Sequence, residues 1–184
     1  MSIRNELLEQ ILAATGGDEE FQGAPSNIMT ENGNTGETTV DGNPDNFVPA
    51  VATVGLQPPT PEYASDFKPL NVNILDVIHD ATVDKDYRID FSGTITANDP
   101  GFLGTYVGIR VDTTLGQTFT GGTKSYPVGV SFGGGGSPGI GFSITVYGKF
   151  APDEIVQLKV SSNTAGTLTL SDVIFFAVRI TPAG

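Results

Sequence analysis

The stretch GFSITVYGKFAPDEIVQLKVSSNTAGTLTLSDVIFFAVRI (141–180) carries the reading of the fold. Apolar residues alternate with polar ones through it: Phe142, Ile144 and Val146, then Val156, Leu158 and Val160, then Leu168 and Leu170. A period of two is that of a strand with one buried face. The separators APD and SNTAG are turn chemistry. The last run, DVIFFAVRI, differs from the others. Ile174, Phe176, Val178 and Ile180 fall on one face, while Val173 and Phe175 fall on the other. A strand apolar on both faces is either central to a sandwich or has a subunit interface on its second face.

The same period extends upstream. DYRIDFSGTITA places Tyr87, Ile89, Phe91, Gly93, Ile95 and Ala97 together. LGTYVGIRVD does so with Leu103, Thr105, Val107, Ile109 and Val111, and KSYPVGVSF with Tyr126, Val128, Val130 and Phe132. With Leu70, Val72 and Ile74, eight such runs lie between Leu70 and Ile180, separated by NDPG, GGT and GGGGSPG among other breakers. Antiparallel strands at this spacing predict a mainly β chain, a jelly-roll β-sandwich over 67–184.

The charge is unevenly spread. The 184 residues carry a formal net charge of −12, and 16% are charged, against the roughly 25% of ordinary soluble domains. Residues 1–66 hold eleven acidic residues and one basic residue, Arg4, for −10; residues 67–184 hold ten and eight, for −2. The asymmetry predicts a boundary near Asp66/Phe67. Within the first part, residues 1–15 read as a short amphipathic helix with Ile3, Leu7, Leu8, Ile11 and Leu12 on one face and Gly16-Gly17 as the stop. Residues 16–66 read as an extended acidic arm. They are rich in Gly, Asn, Thr and Pro, with isolated apolar residues such as Phe21, Ile28, Phe47 and Val51 that suit spaced anchors along a partner.

Chemistry-bearing patterns are sparse. The chain has no cysteine, hence no disulfide, thiolate metal site or cysteine nucleophile. An acidic chain with nine Lys and Arg makes a poor nucleic-acid binder. No apolar run approaches the roughly 18–20 residues of a membrane helix, and Glu6, Glu9 and Gln10 interrupt any secretory h-region. Gly133–Gly136 with Ser137-Pro138-Gly139 lacks the Lys-Ser/Thr of a phosphate loop and reads as a turn. His79 beside Asp80 has no nucleophile elbow to join. Asp80, Asp84, Asp86 and Asp90 have calcium-ligating chemistry but not the spacing of a calcium loop, and Lys85 and Arg88 lie among them. Glu154 is the sole Glu of the β region, so a paired-carboxylate glycosidase is weakly supported.

The opening MSIRNELLEQILAATGG (1–17) resembles the start of virion structural proteins of tailed bacteriophages. GTYVGIRVD (104–112) and the 141–180 stretch resemble the trimeric jelly rolls of the complement-globular-head and tumour-necrosis-factor class. That class carries an L-x-x-G-D turn; the corresponding FAPDEIVQLKV keeps Phe150 and Asp153 but has Ala-Pro in place of x-x-Gly. The resemblances imply a non-enzymatic head decoration or head-fibre protein on the capsid surface of a virion. It would be a homotrimer with no cofactor and no metal, and its N-terminal arms would grip the major capsid protein. Leu7, Leu8, Ile11, Leu12, Phe21, Ile28, Phe47 and Val51 would contact that partner, and Ile174, Phe176 and Val178 would line the trimer interface. The alternative is a receptor- or glycan-binding tip module of a tail or head fibre, using the loops 98–104, 120–125 and 133–139.

Overall fold

The computed structural model describes residues 36–52, 56, 66–71, 73–97, 106–117, 119, 122–127 and 139–180, and the backbone of 27–30. These residues form eleven strands: β1 (Asn27–Thr30), β2 (Gly36–Asp41), β3 (Val48–Pro49), β4 (Phe67–Pro69), β5 (Asp76–His79), β6 (Lys85–Ala97), β7 (Tyr106–Thr113), β8 (Thr123–Pro127), β9 (Ile140–Phe150), β10 (Ile155–Ser162) and β11 (Ala165–Arg179). All named pairings are antiparallel.

Two sheets face each other. In the first, β11 lies between β6 and the pair β1 and β2, and β6 continues to β9. In the second the order is β4-β5-β10-β7-β8, with β3 also on β10. Each sheet thus has one long strand whose edge is shared end to end by two short ones. The chain changes sheet between β6 and β7, between β9 and β10 and between β10 and β11, which is jelly-roll connectivity. Tyr87, Ile89, Phe91, Ile144, Val146, Val107, Ile109, Val156, Leu158 and Phe175 fill the space between the sheets with no exposed surface. They are residues that the alternating pattern places on one face of each strand.

One irregularity in β11 sets the orientation of its second half. Ser171 pairs with Thr94 and Ile174 with Ser92, so Asp172 and Val173 stand opposite Gly93 alone. Asp172 sits in the left-handed region at φ 54. This is a β-bulge, and the extra residue inverts the alternation. Before it, Leu168 and Leu170 are buried; after it, Val173, Phe175 and Ala177 are buried. Ile174, Phe176 and Val178 therefore face outward.

The sequence-based fold class needs correction on two counts. The described residues contain no helix, so the short N-terminal helix is no part of the described fold; residues 1–15, on which it was placed, lie outside them. Nor is the whole of 16–66 an extended arm, because β1, β2 and β3 are strands of the sandwich. The cause is visible in β2. Its inward residues are Gly36, Thr38 and Val40, only one of them a large apolar side chain. Thr38 faces the second sheet because its Oγ1 accepts the Val51 N–H at 2.9 Å. Ala50, Ala52 and Leu56 are also buried, and small residues give little hydrophobic signal.

The bulge is open to test by denaturation. A Cβ on Gly93 would lie 3.0 Å and 3.1 Å from the Phe142 ring and 3.1 Å from the Ser171 carbonyl oxygen. Gly93→Ala is expected to lower stability by about 1–3 kcal/mol in urea. Asp172→Val should cost about 1–2 kcal/mol through its positive φ, while Asp172→Gly should be neutral or stabilising.

Candidate functional site

Among the described residues, two outer faces and a cleft offer surfaces to another molecule. The outer face of the first sheet is built in rows. Ile174, Phe176 and Val178 stand opposite Ser92, Asp90 and Arg88 on β6, which stand opposite Ser143, Thr145 and Tyr147 on β9. Opposed residues of antiparallel strands share a face. Ile174 is 40% exposed and Tyr147 60%. Beside the apolar row, Arg88 holds Asp90 at 2.8 Å, Thr145 Oγ1 donates to Asp90, and the Arg88 guanidinium lies 5.8 Å from the Phe176 ring centre. The face is an apolar stripe beside a self-satisfied polar one.

The outer face of the second sheet is partly covered by the loop between β2 and β3. Asp41 accepts from Asn43 N–H at 2.9 Å and Asn46 Nδ2 at 2.7 Å. The Asn43 N–H and the Asn46 amide hold its carboxyl below the ordinary carboxylate range. Ser161 Oγ donates to the Pro44 carbonyl at 2.8 Å. The loop thereby lays Phe47 over β7, with the Arg110 guanidinium 4.3 Å from its ring centre. Gly108 makes this possible, since a Cβ there would lie 2.6 Å from Ser161 Oγ and 3.0 Å from Phe47. Arg110 pairs with Asp112 at 2.7 Å, and Lys159 reaches the same carboxylate at 3.0 Å.

Where β8 parts from β7, a cleft of about 390 Å³ opens. Arg110, Asp112, Thr113, Gln117, Phe119 and Thr123 are among its lining residues. Behind it lies a buried polar knot. Gln117 Nε2 donates to both oxygens of Glu154 at 2.9 and 3.0 Å and to the Lys149 carbonyl at 2.8 Å. Glu154, 1% exposed, also accepts from Ala151 N–H at 2.9 Å. The Ala151 carbonyl faces His79 Nδ1 at 2.8 Å. A carbonyl can only accept, so Nδ1 carries the proton and Nε2, buried and without a partner, lies among Phe67, Tyr87 and Phe150.

His79 and Asp80 do not form a dyad. His79 is fully buried, while Asp80 pairs with Lys68 outside. Among the described residues no three His, Cys, Asp or Glu side chains could hold one metal ion. Of the acidic residues considered for calcium, Asp80, Asp84 and Asp90 have salt bridges, to Lys68, to Lys149 at 3.3 Å and to Arg88.

The residues proposed for partner binding are placed unevenly. Leu7, Leu8, Ile11, Leu12 and Phe21 lie outside the described residues. Ile28 belongs to β1, in register with Phe176. Phe47 lies half-buried against Arg110, and Val51 bridges to Ile74. The structure thus brings the trimer-interface candidates together and uses two arm candidates inside the molecule. The cleft was missed because Arg110, Gln117 and Phe119 belong to no motif; only the loop 120–125, whose Gly122 and Thr123 line it, pointed there.

Asp66 provides a pH test. Burial pushes its carboxyl up, but hydrogen bonds from Tyr87 and Lys85 and the charge of Lys85 outweigh this and hold it below its ordinary 3.8. Both carboxylate oxygens lie 3.0 Å from Lys85 Nζ. A lowered carboxyl contributes stability that is present above the unfolded value and lost as pH falls through the folded one. Asp66→Asn is expected to cost about 1–2 kcal/mol at pH 7, with the difference from wild type shrinking as denaturation is measured below pH 3.8.

Comparison with known proteins places the architecture. No protein-family profile matches the chain, and no curated sequence does. Among solved structures it is similar to an Eiger tumour-necrosis-factor protein from S. frugiperda, with TM-score 0.50 and 7% identity over 88% of this chain and 96% of that one. It also matches murine APRIL, with TM-score 0.39 and 15% identity over 84% of this chain and 98% of that one. The fold is a jelly roll of the tumour-necrosis-factor type.

Proposed function

We propose that the chain is a non-catalytic binding module, a receptor- or glycan-binding tip that self-associates as a homotrimer through the outer face of the β11 sheet. The observation that carries this reading is the row Ile174, Phe176 and Val178, turned outward by the bulge. Burying such side chains from full exposure gains about 1.5–3 kcal/mol each, and here only the part still open on Ile174 and the half-buried Phe176 and Val178 adds to association. A second copy is a fitting cover, because the chain's own core is already closed beneath the row. The second sheet, with its cleft and the start of β8 at Thr123, is then left free for a partner. The likeness to the Eiger protein supports this at the level of fold only.

Decoration of a phage capsid, with the major capsid protein as partner and the virion surface as location, shares the architecture. That reading draws on anchors in residues 1–66. Phe47 and Val51 are already engaged within the sandwich, which weakens it relative to the tip module.

Light scattering on the purified full chain is expected to give a mass near three times 19.2 kDa. Phe176→Asp should shift that mass to the monomer while the far-UV spectrum stays β. Fluorescently labelled chain should bind intact bacterial cells saturably and be displaced by unlabelled chain. No saturable cell binding together with co-sedimentation on capsids would overturn the reading in favour of the decoration role, and a monomeric wild type would contradict both.

A further inference from the structure

We propose that the cleft between the end of β7 and Thr123 holds a neutral, hydroxyl-rich group, a single sugar residue of a larger glycan; this rests on the binding-module reading and locates its contact. The size is the first argument. About 390 Å³ lies near the lower end of the roughly 300–1,000 Å³ of small-molecule sites, which suits one ring better than a longer chain.

The polar groups supply the second argument. Gln117 is clamped, because its Nε2 faces the Glu154 carboxylate and the Lys149 carbonyl, both of which can only accept. That fixes the amide orientation of this lining residue. Thr113 Oγ1 accepts the Gln117 N–H at 3.2 Å, so its own proton remains to donate. Asp112 has lone pairs beyond those used by Arg110 and Lys159. Phe119, packed on Phe150, adds an apolar side chain to the lining. Preorganised donors and acceptors reduce the ordering cost of binding.

Charge selects a neutral ligand over an acidic one. Arg110 and Asp112 are the charged lining residues, and they are paired with each other at 2.7 Å. A ligand carboxylate would have to compete with Asp112 for its cations, and to approach a chain of net −12. A polyol leaves both ion pairs intact.

The test is saturation-transfer NMR on the full chain with glucose, galactose, mannose and rhamnose, and with glucuronic and N-acetylneuraminic acids as acidic comparators. At least one neutral sugar should receive saturation and compete for the site. Thr123→Trp, a filled rim at an exposed position, and separately Asp112→Asn should each weaken it about tenfold or more, the factor of one good polar contact, with wild-type melting for the tryptophan variant. No transfer to any neutral sugar, transfer to the acidic sugars alone, or binding unchanged in both variants would overturn the proposal. Saturable cell binding that survives Thr123→Trp would defeat the cleft and leave the binding module standing; loss of cell binding in the wild type defeats the module.

Discussion

Two residues of β11 stand opposite one glycine of β6, and the use of both faces of the first sheet follows from that mismatch. Without the extra residue, the alternation that buries Leu168 and Leu170 would continue to Ile174, Phe176 and Val178. Val173, Phe175 and Ala177 would then point out. With it, Phe175 packs edge-on against Phe67 and Phe91, with ring centres 5.4 and 5.1 Å apart. The outward row, Ile174, Phe176 and Val178, stays on the surface of the sandwich. The geometry needs a residue that tolerates the left-handed region, met by Asp172, and a partner without a Cβ, met by Gly93.

The free edges of the sandwich are closed by side chains as well as by strands. Lys124 Nζ and Tyr126 OH both donate to the Ser143 carbonyl at 2.8 Å, and Ser143 N–H donates back to Tyr126 OH at 3.1 Å. Gln117 treats the Lys149 carbonyl in the same way. Backbone groups of β9 that could template another strand are thereby occupied. The same bonds tie β8 and the Gln117 side of the cleft to the first sheet.

The strands were legible wherever large apolar residues alternated, as in β6, β9 and β10. The phase of β11 was not. Its sequence reads as apolar on both faces, and a bulge leaves no mark when every residue around it is apolar or polar in turn. β2 was hidden for a different reason: its inward positions are Gly36, Thr38 and Val40, of which two are small or polar and are buried only by close approach to the other sheet. The acidity that suggested a separate arm is real, but charge placement does not report which backbone pairs with which. The cleft was illegible because its lining, drawn entirely from between Arg110 and Thr123, carries no recognisable motif, and only the fold shows that β7 and β8 part there.

The central claim is that the bulge divides β11 into a core-facing row and a row held against a second copy. Hydroxyl-radical footprinting at residue resolution, on the full chain diluted and concentrated, measures this directly. Val173 and Phe175 should stay protected at every concentration, while Phe176 and Ile174 should be labelled when dilute and protected when concentrated. Labelling of Phe175 with protection of Phe176 in the dilute chain would contradict the bulge, and concentration-independent labelling of Phe176 would contradict the association.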